Sequence, residues 1–272
     1  MTHGRTEEAV HTATEIAHPF DMARTAPPTA CRARPKADVP ESVLADAGND
    51  LIALLSRRDR MRLLATAKSV QLEPGAVLCE PGETMRHVYF PIDCSISLLT
   101  RVDGKPGIGV GMVGREGMLG VQVVLGLGAT PLHALVQSRG TAWRIGAAQL
   151  RRELDQNKTL RRTLSRYLCV RIAQLAASAA CVNCFSIGQR LARWLLMSQD
   201  RAPGDTLHLI QEHLANMLGA RRAGITCAAG DLQQRGLIRY HRGEITVLNR
   251  AGLEAAAGGC YAGRNTFDRM VN

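Results

Sequence analysis

The sequence predicts an α+β chain: an N-terminal β-roll of the jelly-roll kind, a long dimerisation helix, and a C-terminal winged helix-turn-helix. Three observations carry this reading. The first half holds many short β-rich runs separated by Pro-Gly, Asp-Gly and Arg-Gly turns. A stretch without Gly or Pro follows, its apolar residues recurring in a narrow seam. The last quarter then reads helix, glycine turn, helix and hairpin. The expected division is a disordered extension over 1–47, the roll over 48–148, the dimerisation helix over 149–184, the winged helix-turn-helix over 185–257 and a tail over 258–272.

The elements follow in chain order. Residues 1–47 are rich in Ala, Thr, Pro and charge, and Pro27, Pro28, Pro35 and Pro40 interrupt any helix. LIALLSRRDRMRLLATAK is helical, with Leu51, Leu54, Leu55, Met61 and Leu64 on apolar faces and Ser56 as the cap of a second short helix. From Ser69 to Ile145 the pattern is strands and turns. Pro74-Gly75 and Pro81-Gly82 bracket a short strand, and HVYFPIDCSISLLTRV alternates and ends at the hairpin signal Asp103-Gly104. GIGVGMVGREGMLG is dense in glycine, as at barrel corners and bulges, and LHALVQSRGTAWRI closes the region with two strands turned at Arg139-Gly140. The long helix runs from Ala147 or Ala148 to Val182, with Asn157 as a break point. Leu164, Leu168, Ile172, Leu175, Ala179 and Val182 form a seam close to a coiled-coil heptad, the expected dimer interface.

SIGQRLARWLLMS then makes a helix with Ile187, Leu191, Trp194 and Leu195 inward. In QEHLANMLG, Leu214, Met217 and Leu218 share a face and Gly219 stands where a helix end favours positive φ. A second helix opens at Arg221 and Arg222 and turns Ile225, Ala228, Ala229 and Leu232 inward. LIRYHRGEITVLNR is a hairpin turned at Arg242-Gly243. This order places the second helix to lie in a DNA major groove while the wing touches backbone.

QEHLANMLG followed by ARR and LQQRGLIRYHRGEITVLNR resembles the DNA-binding end of the Crp/Fnr superfamily of bacterial transcription regulators. EPGE and HVYFP resemble the cyclic-nucleotide-binding fold that serves as its sensor. The resemblance spans roughly residues 50–256 and implies a cytoplasmic, effector-gated homodimer that binds double-stranded DNA, with RNA polymerase as a further candidate partner. The DNA-contacting candidates are Gln211, Arg221, Arg222, Gly224, Thr226, Cys227 and Arg242. Arg221 and Arg222 lead, because a guanidinium can bond guanine O6 and N7 together. Gln211 opens the first helix and Arg242 is a backbone contact at the wing tip. The reading face is sparse, which keeps a second reading open: a sensor or scaffold whose helix-turn-helix serves protein contacts.

The resemblance also implies an effector pocket, to which Arg115, Glu116, Gly117 and His133 are the matching candidates. Members that bind cAMP clamp its phosphate with an arginine and a small hydroxyl residue. Leu132 and His133 stand there, and a leucine pairs no phosphate, which argues against cAMP in the usual mode and leaves no cofactor expected.

Composition narrows the function classes. A net charge of +10 over 272 residues favours a polyanionic partner, and 4% aromatic residues disfavour base stacking on single strands. The eight cysteines are scattered, which suits a reducing compartment rather than a disulfide framework. Cys181 and Cys184 form a CxxC, a redox pair or half a metal site, but no second pair completes a zinc site, so no metal is expected. A thiol-responsive regulator stays open on this pair. No apolar run approaches the roughly 18 residues of a membrane span, and no nucleophile elbow, Walker loop or HExxH is present, so an enzyme is not expected.

Overall fold

The computed structural model describes residues 48–100, 107–202, 204–208, 211–241 and 243–261. The expectations for the 1–47 extension, the Asp103-Gly104 turn, the Arg242 wing tip and most of the 258–272 tail lie outside the described residues, as do the side chains of Gln211 to His213.

Two short helices open the described chain, α1 (Asp50–Ala53) and α2 (Arg57–Leu64). Asn49 caps α1 through the Ile52 amide, and its Nδ2 donates to the Pro91 and Gly117 carbonyls at 2.8 and 3.0 Å, tying the helix to the roll. Ser56 caps α2 by accepting from the Asp59 amide. Leu51, Leu55 and Leu64 are buried, whereas Leu54 and Met61, expected inward, are exposed: each helix is too short to bury more than one side.

Among the described residues, seven strands make two sheets, β1 (Lys68–Leu72), β7 (Gly140–Gly146) and β3 (His87–Pro91) in one, and β2 (Val77–Cys79), β6 (His133–Ser138), β4 (Ser95–Thr100) and β5 (Ile108–Val113) in the other. Every pairing within them is antiparallel. Gly75 and Gly82 take φ of 82° and 83°, as the two turns around β2 require. β3 and β4 do not alternate buried and exposed as HVYFPIDCSISLLTRV predicts. β4 is covered on both faces, with Ile96 and Leu98 packed between the sheets while Leu99 joins the core of the C-terminal domain. Ser95 and Ser97, also buried there, bond Ser138 and Gln137 of β6. A 3₁₀ turn, Val121–Leu125, completes the roll.

The long helical stretch is two helices, α3 (Ala147–Gln156) and α4 (Lys158–Cys184). Asn157 breaks them with extended backbone, and its side chain accepts from the Leu160 amide to cap α4. The second core joins α1–α4 to the outer face of β3 and β7 around Phe90, Trp143, Ile145, Leu160, Leu164 and Tyr167. Contrary to the sequence expectation, α4 is long and apolar enough by length and composition alone to cross a membrane, with an 18-residue window of mean hydropathy 1.3. Its apolar content is alanine, cysteine and valine as much as leucine, and only 22% of that window is buried.

The third core is the C-terminal domain: α5 (Ile187–Gln199), α6 (Gln211–Leu218), α7 (Arg222–Gln234) and α8 (Arg250–Ala257), with the small sheet β8 (Thr206–His208), β10 (Glu244–Val247) and β9 (Ile238–His241). Ser186 and Gln189 close a reciprocal capping box at the start of α5. Trp194 packs in this core, as expected.

One pair of cysteines departs from the expectation for a reducing compartment. Cys181 at the end of α4 is bonded to Cys260 in the 3₁₀ turn Gly258–Cys260, with Cα atoms 5.8 Å apart. The partner of Cys181 is thus remote in sequence rather than its CxxC neighbour. Cys184 is free and exposed.

Candidate nucleic-acid interface

The reading element is built from α6, the turn at Gly219, α7 and the hairpin. Gly219 takes φ of 56° and lets the chain reverse between the helices. The Arg190 guanidinium of α5 donates to the Leu218 carbonyl and satisfies the end of α6. Helix α7 buries Ile225, Ala229 and Leu232, and the Gln233 side chain accepts from the Tyr240 amide at 2.7 Å, fixing the helix to the wing.

That packing leaves one side of α7 bare. Arg221, Arg222, Ala223, Thr226 and Cys227 are exposed around its N-terminal turns. Arg221 is the N-cap with extended backbone, and the Thr226 hydroxyl donates back to the Arg222 carbonyl at 3.1 Å. Gly224 turns the other way: a Cβ there would stand 3.1 Å from Ile187 Cδ1, so its bareness serves the approach of α7 to α5. Further basic residues, Arg235 and Arg239, are exposed toward the wing. Among the described residues, no group of three or more His, Cys, Asp and Glu side chains is arranged to hold a metal ion.

The pocket candidates do not converge. Arg115 pairs with Asp50 at 3.0 Å near the surface. His133 at the start of β6 pairs at 2.8 Å with Glu80, just past the end of the neighbouring strand β2. Glu116 and Gly117 instead face the long helix and the C-terminal domain. Glu116 accepts from Arg201 Nε at 2.8 Å and Nη2 at 2.6 Å, and from the Gly114 amide at 3.2 Å. Burial pushes its carboxyl up, but the Arg201 charge and these hydrogen bonds outweigh burial and hold it below the usual range.

This junction contains what sequence reasoning missed. The glycines of β5 and its following turn are a bare docking strip. A Cβ at Gly109 would meet the Met217 carbonyl at 2.8 Å, one at Gly111 the Arg171 guanidinium at 3.0 Å, one at Gly114 the Arg201 side chain at 2.5 Å, and one at Gly117 the Tyr167 hydroxyl at 2.1 Å. Arg171, itself buried, donates to the Met112 carbonyl. In turn, residues from α6, α4, the loop after α5 and α4 again fill the four gaps. Arg201 lay in a segment, DRAPGD, that reads only as a loop. The two-residue and three-residue glycine spacing was the one signal available.

A roll, a long helix and a winged helix-turn-helix with an open basic reading face define a DNA-binding transcription regulator. Residues 189–256 match the family described as the Crp-like helix-turn-helix domain. The chain is 25% identical over 176 residues to the global nitrogen regulator of a Nostoc species, covering 61% of this chain and 79% of that protein. Its fold is similar to that of FixK2 from Bradyrhizobium japonicum, with a TM-score of 0.61 at 13% identity over 71% of this chain and 98% of that one. It is equally similar in fold to a Crp/Fnr-family regulator from Eubacterium rectale, with a TM-score of 0.61 at 16% identity over 78% of this chain and 99% of that one. Residues 189–256 thus form a Crp-like helix-turn-helix domain, and the chain shares its fold with a solved Crp/Fnr-family regulator.

Proposed function

We propose that this regulator acts as a cytoplasmic homodimer that reads a near-palindromic operator through Arg221 and Arg222 and is gated by an effector acting through the roll. The observation that carries the reading is the exposed N-terminal face of α7, whose other side packs into the core of the C-terminal domain. One arginine there suits a base edge and the other a phosphate, with Thr226 and Cys227 one turn further along. Gln211, at the start of α6, and Arg242, between β9 and β10, complete the proposed contacts with the phosphate backbone. RNA polymerase is the further partner this reading calls for.

The dimer rests on α4. Ile172, Leu175 and Val182 are 65, 38 and 50% exposed along one line of the helix, with Ala179 beside them. A large apolar side chain left in water at three of these four positions favours a second copy as cover. Leu164 is spent on the chain's own core and Leu168 partly so, which confines the proposed seam to Ile172 onward. Gating rests on the glycine strip, where the roll, α4 and the C-terminal domain meet at Glu116 and Arg201. A ligand that prefers one arrangement of this junction shifts its population. The Leu132 and His133 positions, one apolar and the other paired with Glu80, favour an effector other than cAMP in its usual pose.

Selection from random duplex DNA by the purified protein tests the reading. The expected result is an enriched two-fold site, with half-sites about 34 Å apart, whose affinity falls by about 1–3 kcal/mol for Arg221→Ala or Arg222→Ala. Absence of an enriched site together with salt-independent retention would instead favour a scaffold role for the domain.

A further inference from the structure

The Cys181–Cys260 bond joins two parts of the chain 79 residues apart: the last turn of α4 and the turn that ends the C-terminal domain. Between them in the sequence lies the whole reading domain, and Phe185, which ends α4, is the hinge on which it hangs. The turn carrying Cys260 sits on that hinge. A Cβ at Gly259 would lie 3.8 Å from Phe185 Cζ, and one at Gly258 3.6 Å from Gln189 Nε2. Next to Cys260, the Tyr261 hydroxyl donates to Asp200 at 2.7 Å and accepts from Arg250 at 2.9 Å, bracing the far end of α5. The disulfide therefore fixes the reading domain to the proposed dimer helix on the far side of the hinge.

Both bonded cysteines are 5% exposed, so a thiol in solution has poor access to either sulfur. Cys184 is free, exposed and three residues from Cys181 on the same helix. Residues three apart on a helix share a side and have Cα atoms about 5 Å apart, inside the range a disulfide spans. At about 100° per residue, Cys184 points roughly opposite the line of Leu175, Ala179 and Val182, so a partner on that line leaves it open to solvent.

We propose that Cys184 is the gateway thiol of a disulfide latch, through which a small thiol–disulfide couple opens and closes the buried Cys181–Cys260 bond. The Cys184 thiolate attacks Cys181 Sγ. A Cys181–Cys184 bond forms, the bond to Cys260 breaks, and Cys260 leaves as a thiolate that takes up the proton Cys184 gave to solvent. This step consumes no oxidant. A small thiol then attacks the exposed Cys184 Sγ, releasing Cys181 as a thiolate that becomes protonated. A second small thiol removes the first as a disulfide, leaving all three cysteines reduced. Closure runs backward, with a small disulfide as the two-electron oxidant. Opening frees the terminal turn from α4 and with it the orientation of α7 relative to the dimer helix.

The regulatory consequence rests on the DNA-binding reading, whereas the exchange chemistry does not, so the two fail separately. The test treats the full-length protein with glutathione and glutathione disulfide at set ratios, quenches by alkylation, and identifies disulfide peptides by mass. The wild type is expected to pass through a Cys181–Cys184 peptide, and Cys184→Ser to slow loss of the Cys181–Cys260 peptide by at least about tenfold. Circular dichroism of Cys184→Ser checks that its fold is intact; the residue is exposed, and serine matches its size. Equal opening rates in the two proteins, with no Cys181–Cys184 peptide, would overturn the gateway. Duplex retention by the closed and opened wild type supplies the second arm. A difference of at least about threefold is expected, and equal affinity of the two forms overturns the latch as a regulator while leaving the chemistry standing.

Discussion

Glu116→Gln should weaken the union of roll and reading domain more than any other single neutral substitution at their junction. The carboxylate and the Arg201 guanidinium are only 10 and 9% exposed at the side chain, and they meet at 2.6 Å. Removing one partner of a buried pair costs about 3–5 kcal/mol, because the other charge stays behind in a poor solvent. Glutamine keeps an oxygen for Arg201 and for the Gly114 amide, so the low end, about 3 kcal/mol, is expected. At roughly 2–4 °C per kcal/mol for a unit of this size, the unfolding midpoint should fall by about 6–12 °C. The two tryptophans make the assay, since Trp143 lies in the core of roll and helices and Trp194 in that of the reading domain. Fluorescence followed in Trp143→Phe and Trp194→Phe backgrounds separates the two. The double variant Glu116→Gln, Arg201→Met should recover most of the loss, because a buried pair replaced as a whole is close to neutral. Single variants within about 0.5 kcal/mol of the parent, or a double variant that loses the sum of both, would refute the pair as the clamp.

Three further outcomes follow from the same geometry. The Glu116 carboxyl is held below its usual value of about 4.3, so its contribution is fully present above that pH and is lost as pH falls through the lower folded-state value; urea midpoints measured from about pH 6 to pH 3 should drop in the parent and flatten in Glu116→Gln. Gly117→Ala places a methyl 2.1 Å from the Tyr167 hydroxyl, a ring that is 1% exposed, so it should destabilise by the upper end of about 1–3 kcal/mol in denaturant titration. Ile172→Glu with Leu175→Glu should leave the fold unchanged by circular dichroism and give a monomer by sedimentation, since both side chains are exposed in the single chain; a persistent dimer would move the seam elsewhere.

The sequence by itself determined the local elements and their order. Turn dipeptides set the ends of β2, Ser56 marked a helix start, Asn157 a helix break and Gly219 the reversal, and the spacing of Ile225, Ala229 and Leu232 fixed which side of α7 stays bare. Each rests on contacts within a few residues, where φ preference, capping and helical period act directly. The tertiary structure decided everything that depends on distant partners. Glu116 looked like part of a ligand pocket and is paired with Arg201, 85 residues away. Cys181 looked like half of a CxxC and is bonded to Cys260. Gly224 stands among the DNA-contacting candidates by sequence, yet a Cβ there would crowd Ile187. The glycines of β5 carried no message in their own neighbourhood, because what they make room for arrives from three later segments. A missing side chain has no local energy to read, and its purpose appears only when the backbone, arginine and tyrosine that fill the space have been brought to it.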